Sequence, residues 1–322
     1  MRYKKLGDSE LNLSVIGLGT WAIGGEGWQY SWGPQNDALS IKTIYHALDL
    51  GINWIDTAAV YGLGHSEEVI GKALKGMSQK PIIATKCSRK QDETGKLYSE
   101  LKRQSIIQEA EDSLRRLDVE IIDLYQIHWP KPEEDIEEAW ITVSQLIKEG
   151  KVRYGGVSNF YVEHMQRCQA IAPIASLQPP YNMIVRYIED NILDYCGDNN
   201  IGVISYSPMY KGLFTGAFSR QRMETMPDSD HRKFDPEFLE PKLNANLQLV
   251  DALKTLAASK DISVAQLAIA WTQRHPQMTA AIVGGRKPEQ LDETAAAGDI
   301  VLSQEDIALI DEFLSKRDEA IL

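Results

Sequence analysis

Three ionisable side chains stand where three apolar runs of this 322-residue sequence end: Asp56 closes Ile52–Ile55, Lys86 follows Ile82–Ala84 and Thr85, and His128 closes Ile121–Ile127. A carboxylate, an ammonium and an imidazole gathered at one place can bind a polar group and move a proton to or from it. Tyr61 lies five residues past Asp56, in the loop Thr57–Gly62, near enough to fold over the same place. Singly, each has a plain structural use. An Asp after a strand caps the next helix, a strand-end His is a hydrogen-bonded structural group, and a lone Lys is a solvated charge. The other runs end in the same manner. Val152–Val157 leads into Ser158 and Asn159, Ala175–Leu177 into Gln178, Gly202–Ser205 into Tyr206 and Ser207, and Ala280–Val283 into Gly284, Gly285 and Arg286. Polar closure at the C-terminal end of nearly every run matches where barrel enzymes hold their active sites.

The elements that must position these groups can be read from periodicity. With alternation every second residue, Trp54 and Asp56 share a face, as do Ile82, Ala84 and Lys86, and Leu124, Gln126 and His128. If the apolar members face inward, Asp56, Lys86 and His128 converge on one mouth. Each run, the first being Leu13–Leu18, is followed by a helical pattern. Examples are Asp37–Leu50, Glu67–Leu74, Gln104–Leu117, Ile136–Lys148, Glu163–Ile171, Glu189–Cys196, Leu247–Ser259 and Glu289–Ala297. About eight strand–helix units imply parallel strands and right-handed crossovers, and that number favours a single closed (β/α)8 TIM barrel over an open sheet. Residues 2–14 read as a hairpin ahead of the barrel, Val264–His275 as an extra helix capped by Ser263, and Ser303–Phe313 as a terminal helix. Gly216–Pro241 is polar, charged and proline-containing, and is expected to be a long loop. No linker divides the chain, so residues 1–322 are expected to form one domain.

Composition sets the outer limits. A hydrophobic fraction of 43% with 25% charged residues suits a soluble globular protein. The net charge of -12 argues against nucleic acid or an anionic membrane as the main partner. Three cysteines without paired spacing exclude a disulfide framework and a CxxC metal site, and fit a reducing cytoplasm. No signal peptide or membrane span is expected. Nothing in the sequence marks an oligomeric interface.

In the order in which they occur, the motifs resemble those of the aldo-keto reductase family. They are Gly17–Trp21, Asp56–Gly62 with Ser66-Glu67, Ala84–Lys86, Asp123–Trp129, Gly150–Arg153, Gly156–Phe160, Gln178–Asn182, Tyr206–Pro208 and Gly284–Arg286. The resemblance spans essentially the whole chain. It is nearest the bacterial and plant-type branch, because Gly285–Gln290 stands where aldose-reductase-like members carry a Lys-Ser pattern.

The resemblance implies a catalytic tetrad of Asp56, Tyr61, Lys86 and His128, with no metal. Tyr61 would protonate a carbonyl oxygen, Lys86 would lower the phenol's pKa, Asp56 would hold Lys86, and His128 would orient the substrate. It implies NADPH as cofactor, with hydride delivered from the nicotinamide. Gly19, Thr20, Trp21 and Asp56 line its near end, Ser158, Asn159 and Gln178 read the carboxamide, and Tyr206 stacks on the ring. Ser207, Pro208, Gly212, Leu213 and Thr215 follow the pyrophosphate, while Gly284, Gly285, Arg286, Gln290 and Glu293 hold the adenosine end. A guanidinium at Arg286, helped by Lys287, suits a 2′-phosphate.

This sequence departs from the family pattern in two places. Thr294 follows Glu293 where many members have Asn, and the loop Gly24–Gly33 is rich in aromatics. Trp21, Trp32 and Trp129, with Tyr61 and His128, are the expected substrate contacts; Trp28 and Tyr30 are further aromatics of the mouth. The implied activity is reduction of aldehydes and ketones. Two alternatives stay open: a nucleotide-sensing partner subunit like the potassium-channel β subunits, and a sugar or polyol dehydrogenase running in the oxidative direction.

Overall fold

The computed structural model describes residues 1–228 and 230–321. A short antiparallel hairpin of β1 (Tyr3–Lys5) and β2 (Asn12–Ser14) precedes the barrel, with Tyr3 opposite Ser14. The expected first run, Leu13–Leu18, is divided between β2 and β3 (Ile16–Gly19). The other elements of the barrel wall are β4 (Trp54–Asp56), β5 (Ile82–Cys87), β8 (Ile122–Ile127), β9 (Val152–Ser158), β10 (Ser176–Gln178), β11 (Gly202–Tyr206) and β12 (Met278–Gly284). They close in the order β3-β4-β5-β8-β9-β10-β11-β12, all pairs parallel, as a (β/α)8 barrel. The remaining pair, β6 (Arg89–Gln91) and β7 (Leu97–Ser99), forms a hairpin after β5 that the sequence reading did not include.

The inward faces follow the alternation. Trp54, Ala84, Leu124, Ile204, Ala280 and Ile282 pack together inside the barrel, and Leu6, Leu11 and Leu13 of the hairpin join them from below. Each leucine removed from water contributes about 1.5–3 kcal/mol, so the hairpin is a stabilising plug for the end opposite the active site. Gly17 makes room for this packing, because a Cβ there would lie 2.2 Å from the Trp54 indole.

The outer helices lie where periodicity placed them, with shifted ends. Lys242–Ser259 starts earlier than expected and Val264–Trp271 stops earlier, while Ser263 and Ser303 cap their helices through capping boxes. The expected helix Glu189–Cys196 is a 3-10 turn at Tyr187–Glu189 followed by a helix at Ile192–Asp198. Gly216–Pro241 is not irregular throughout. It holds a short helix, Arg220–Glu224, and two 3-10 turns, His231–Phe234 and Pro236–Phe238; Ser229 lies outside the described residues. Among the described residues no helix is long and apolar enough to cross a membrane. Cys87, Cys168 and Cys196 are buried free thiols.

Candidate active site

Adjacent strands deliver the four groups. β4 ends on Asp56, β5 carries Lys86, His128 immediately follows β8, and Tyr61 begins the turn after β4. Backbone bonds fix the approach of Tyr61: Thr57 N donates to the Ala84 carbonyl at 2.8 Å, and Tyr61 N donates to the Ala58 carbonyl at 3.0 Å. Gly62, at φ 60°, then passes so close to Gly24 that a Cβ on it would lie 2.1 Å from the Gly24 carbonyl oxygen. A side chain there would push the Tyr61 turn off the first loop.

Asp56 and Lys86 are 3% and 1% exposed and form an ion pair of 2.7 Å. The Lys86 ammonium also donates to the Thr57 carbonyl at 2.9 Å and to the Tyr61 hydroxyl oxygen at 3.4 Å. Three protons therefore meet three acceptors. Since the Tyr61 oxygen accepts from Lys86, its own proton is left to point elsewhere. The second Asp56 oxygen accepts from Gln178 Nε2 at 2.8 Å, which fixes the carboxylate from the opposite wall of the barrel. Behind Lys86, buried Glu67 accepts from Thr85 at 2.5 Å and from Arg116 Nε at 2.7 Å.

Burial governs the protonation states. Tyr61 is half-buried, and burial with the Asp56 carboxylate pushes the phenol well above its ordinary value. In the unliganded site these two causes set the net direction, against the lowering expected from Lys86. Asp56 neutralises the ammonium, so Tyr61 faces an ion pair rather than a lone cation. Burial also pulls Lys86 down, opposed by Asp56 and Glu67. Burial, with Lys86 and Arg89 adding, holds His128 well below the ordinary histidine value, so the imidazole is neutral near pH 7. Its buried Nδ1 has no hydrogen-bond partner among the described residues.

The remaining expected residues ring this centre. Thr20 Oγ1 donates to the Asp56 carbonyl at 2.9 Å, and Gly19 lies in register with Gly284 on the neighbouring strand. Asn159, at φ 63°, ties three strand ends together: its Nδ2 donates to the His128 carbonyl at 3.0 Å and its Oδ1 accepts from Tyr206 Oη at 2.9 Å. Ser158 Oγ donates to the Gln178 carbonyl at 2.9 Å. Ser207 is left-handed at φ 58°, Pro208 is buried, and Tyr210, Lys211 and Gly212 continue with positive φ. Thr215 Oγ1 bonds the Gly212 carbonyl at 2.8 Å, whereas the Leu213 side chain is fully buried in the core.

Arg286 is turned toward the first loop. Nε donates to Gln35 Oε1 at 2.9 Å, Nη1 to the Trp32 carbonyl at 3.1 Å, and Nη2 to the Pro34 carbonyl. These acceptors are uncharged, so its charge is not neutralised by them, and two of its five N–H groups remain. Gln290 Oε1 accepts from Arg286 N at 2.8 Å. Glu293 is exposed, and the Thr294 hydroxyl is turned back to the Gln290 carbonyl at 3.0 Å.

Over the mouth, Trp21 stacks near Tyr61 with ring centroids 6.4 Å apart, and Trp28 lies 6.0 Å from Tyr61. Trp32 meets Trp21 edge-on at 5.8 Å. Trp129, expected as a substrate contact, does not join these rings and is 37% exposed. His231, which sequence reasoning did not single out, joins them from the other side. Only the fold brings its loop across the mouth, so no local signal marked it.

The aldo/keto reductase family profile matches residues 15–315. The chain is 40% identical over 309 residues to the aldo-keto reductase YhdN of Bacillus subtilis, covering 95% of this chain and 91% of that protein. It is 32% identical over 329 residues to the NADH-specific methylglyoxal reductase of Escherichia coli, covering 97% of this chain and 98% of that one. Among solved structures, the glycerol dehydrogenase of Gluconobacter oxydans matches with a TM-score of 0.89 at 39% identity, over 98% of this chain and 95% of the other. With a profile match over nearly its full length on a closed parallel barrel, the chain belongs to the aldo/keto reductase family.

Proposed function

We propose that this chain reduces aldehydes and ketones to alcohols with a nicotinamide cofactor, NADPH in preference to NADH, and that Tyr61 supplies the proton. The observation that carries the reading is the use of the Lys86 ammonium: it bonds Asp56, Thr57 and the Tyr61 oxygen, which leaves the phenolic proton for a substrate. The residues present fit such a cofactor. Among the described residues His128 keeps a buried ring nitrogen without a partner, Gly284 would leave a Cβ no atom nearer than 3.8 Å, and Arg286 has no anionic neighbour among its bonded partners. Ser158, Asn159 and Tyr206 would hold the nicotinamide end, and Gly284, Gly285, Arg286 and Gln290 the adenosine end. When bound, the cofactor supplies a hydride to the carbonyl carbon.

The chain's own residues do the rest. Neutral His128 and the Tyr61 hydroxyl donate to the carbonyl oxygen and orient it. As negative charge grows on that oxygen, the Tyr61 proton crosses to it, and the phenolate left behind faces the Lys86 ammonium 3.4 Å away. Burial keeps Tyr61 protonated, as the donor role in reduction requires; in the reverse reaction the same group would act as the base. The Gluconobacter relative is named for glycerol oxidation, so the assay must run both ways. The NADPH preference rests on Arg286 and Lys287, against an Escherichia coli relative named NADH-specific.

The rings of Trp21, Trp28 and Trp32 around Tyr61 would supply apolar walls for a small substrate. Residues 1–322 acting as one domain in the cytoplasm, without nucleic-acid or membrane partners, complete the reading. The test is a fluorescence titration with NADPH and NADH, then a carbonyl and alcohol panel read as coenzyme oxidation or reduction. Carbonyl-dependent oxidation of NADPH supports the proposal; coenzyme binding without turnover of any carbonyl or alcohol refutes it in favour of a nucleotide-sensing role.

A further inference from the structure

His231 opens the 3-10 turn His231–Phe234, within the segment joining β11 to the helix Lys242–Ser259. That turn is firmly fastened. Asp230 accepts from Arg232 N at 3.0 Å and Arg232 Nε at 2.9 Å, and Arg232 Nη1 reaches the Lys211 carbonyl at 3.3 Å. Asp235 receives Lys211 Nζ at 2.6 Å and the Tyr210 hydroxyl at 3.2 Å. The result is a strap anchored just beyond β11 that brings His231 to the aromatics of the first loop.

There the imidazole lies 6.0 Å from the Trp21 ring at 20°, and edge-on to Trp32 at 4.6 Å. Arg232 covers Trp32 from 5.1 Å. Since Trp21 also stacks near Tyr61, His231 is one aromatic ring removed from the proposed proton donor.

The hydrogen bonding of this cover is uneven. Trp21 Nε1 donates to the Tyr30 carbonyl at 2.9 Å and Trp28 Nε1 to the Gly25 carbonyl at 3.1 Å, so both indoles are satisfied. His231 Nε2 is buried and has no partner among the described residues. A buried polar atom left unpaired costs about 1–3 kcal/mol, which a ligand atom would relieve. Burial, with the nearby Lys211 and Arg232 charges, holds this imidazole below its ordinary value, so it is a neutral hydrogen-bonding group.

We propose that His231 is a specificity-determining residue whose Nε2 hydrogen-bonds a hydroxyl or second oxo group carried by the substrate beyond its reacting carbonyl. The aromatic walls of Trp21 and Trp32 set the size, and His231 selects for the extra oxygen. The preferred substrates are then short carbonyl compounds with a neighbouring oxygen rather than alkyl aldehydes of the same length. This rests on the carbonyl-reductase reading above.

Glyceraldehyde and propanal share a three-carbon skeleton and test the inference directly. His231→Phe keeps a stacking ring and removes both nitrogens, while His231→Gln keeps a hydrogen-bonding side chain. His231→Phe should lower kcat/KM for glyceraldehyde about 5- to 100-fold, mainly through KM, with propanal changed less than about twofold. His231→Gln should recover part of the loss, and NADPH affinity by fluorescence should not change. Equal losses on both aldehydes, or no loss on glyceraldehyde, overturns the role of His231 while leaving the reductase reading intact. A wild-type protein that reduces propanal as well as glyceraldehyde overturns the role of His231, and one that binds NADPH but turns over no carbonyl or alcohol of the panel overturns both.

Discussion

Replacing Asp56 with Asn keeps the shape of the side chain and removes the carboxylate that, among the described residues, is the one bonded to Lys86. Breaking one side of a buried ion pair costs about 3–5 kcal/mol, because the remaining charge stays out of water without compensation. The structure also sets a ceiling. Lys86 can escape by losing its proton, and holding a lysine neutral at pH 7 against an unfolded value near ~10.4 costs about 4.6 kcal/mol. Burial already pulls Lys86 downward, and loss of Asp56 pulls it further. For a base whose folded value is depressed, the unfolded chain binds more protons. Stability therefore rises with pH between the folded and unfolded values, and at pH 9 the ceiling falls to about 1.9 kcal/mol.

The deficit of Asp56→Asn relative to wild type should thus shrink from about 4 kcal/mol at pH 7 to about 2 kcal/mol at pH 9. Equilibrium urea unfolding followed by tryptophan fluorescence measures it. Adding Lys86→Met removes the stranded charge, so the double variant should be more stable than Asp56→Asn alone and should lose the pH dependence. A deficit that stays constant with pH, or a double variant less stable than Asp56→Asn, would show that Asp56 does not serve to neutralise a buried ammonium.

Two further perturbations address the surroundings. Burial pushes Glu109 up to about 7, although Ser88 N and Ser105 bond it. Its folded value is raised, so its contribution to stability is full below about 4.5 and is lost as pH rises through 7. Glu109→Gln should therefore gain up to about 3 kcal/mol relative to wild type between pH 5 and pH 8 in the same unfolding assay; an unchanged difference refutes the burial argument. Arg286→Ala should reduce the preference for NADPH over NADH by about 10-fold or more in fluorescence titrations, from the loss of a charge-assisted pair. Equal weakening of both coenzymes would assign Arg286 solely to holding Trp32, Pro34 and Gln35.

The barrel and the convergence of Asp56, Lys86 and His128 were legible because alternation along a strand is a local property. Trp54 and Asp56 share a face wherever the strand lies, and a polar residue after an apolar run reports a strand end. What depends on contacts between distant segments was not legible. Arg286 meets Trp32, Pro34 and Gln35 across about 250 positions, and a guanidinium after a strand does not say which way it turns. His231 is a lone histidine in a charged segment until the strap carries it to Trp21.

The same reasoning explains the smaller differences. The hairpin Arg89–Gln91 with Leu97–Ser99 lacks apolar alternation, since its outward residues face solvent. The helix from Lys242 begins with a turn in which Lys242 and Asn244 alternate with Leu243 and Ala245, a pattern that does not read as helical and conceals its start. Tyr61 itself lies in a loop, and its selection came from the resemblance. The structure added the reason for the position, namely the close passage of Gly62 over Gly24, and the burial that raises the phenol's pKa in the unliganded site.

The central claim is that Tyr61 gives its proton to a carbonyl oxygen from a site held by Lys86 and Asp56. Tyr61→Phe removes one oxygen and keeps the ring that packs against Trp21 and Trp28. NADPH affinity, read by fluorescence, should stay at the wild-type level while carbonyl reduction falls about 10²–10⁴-fold. Turnover near that of wild type, with NADPH bound equally well, would contradict the account.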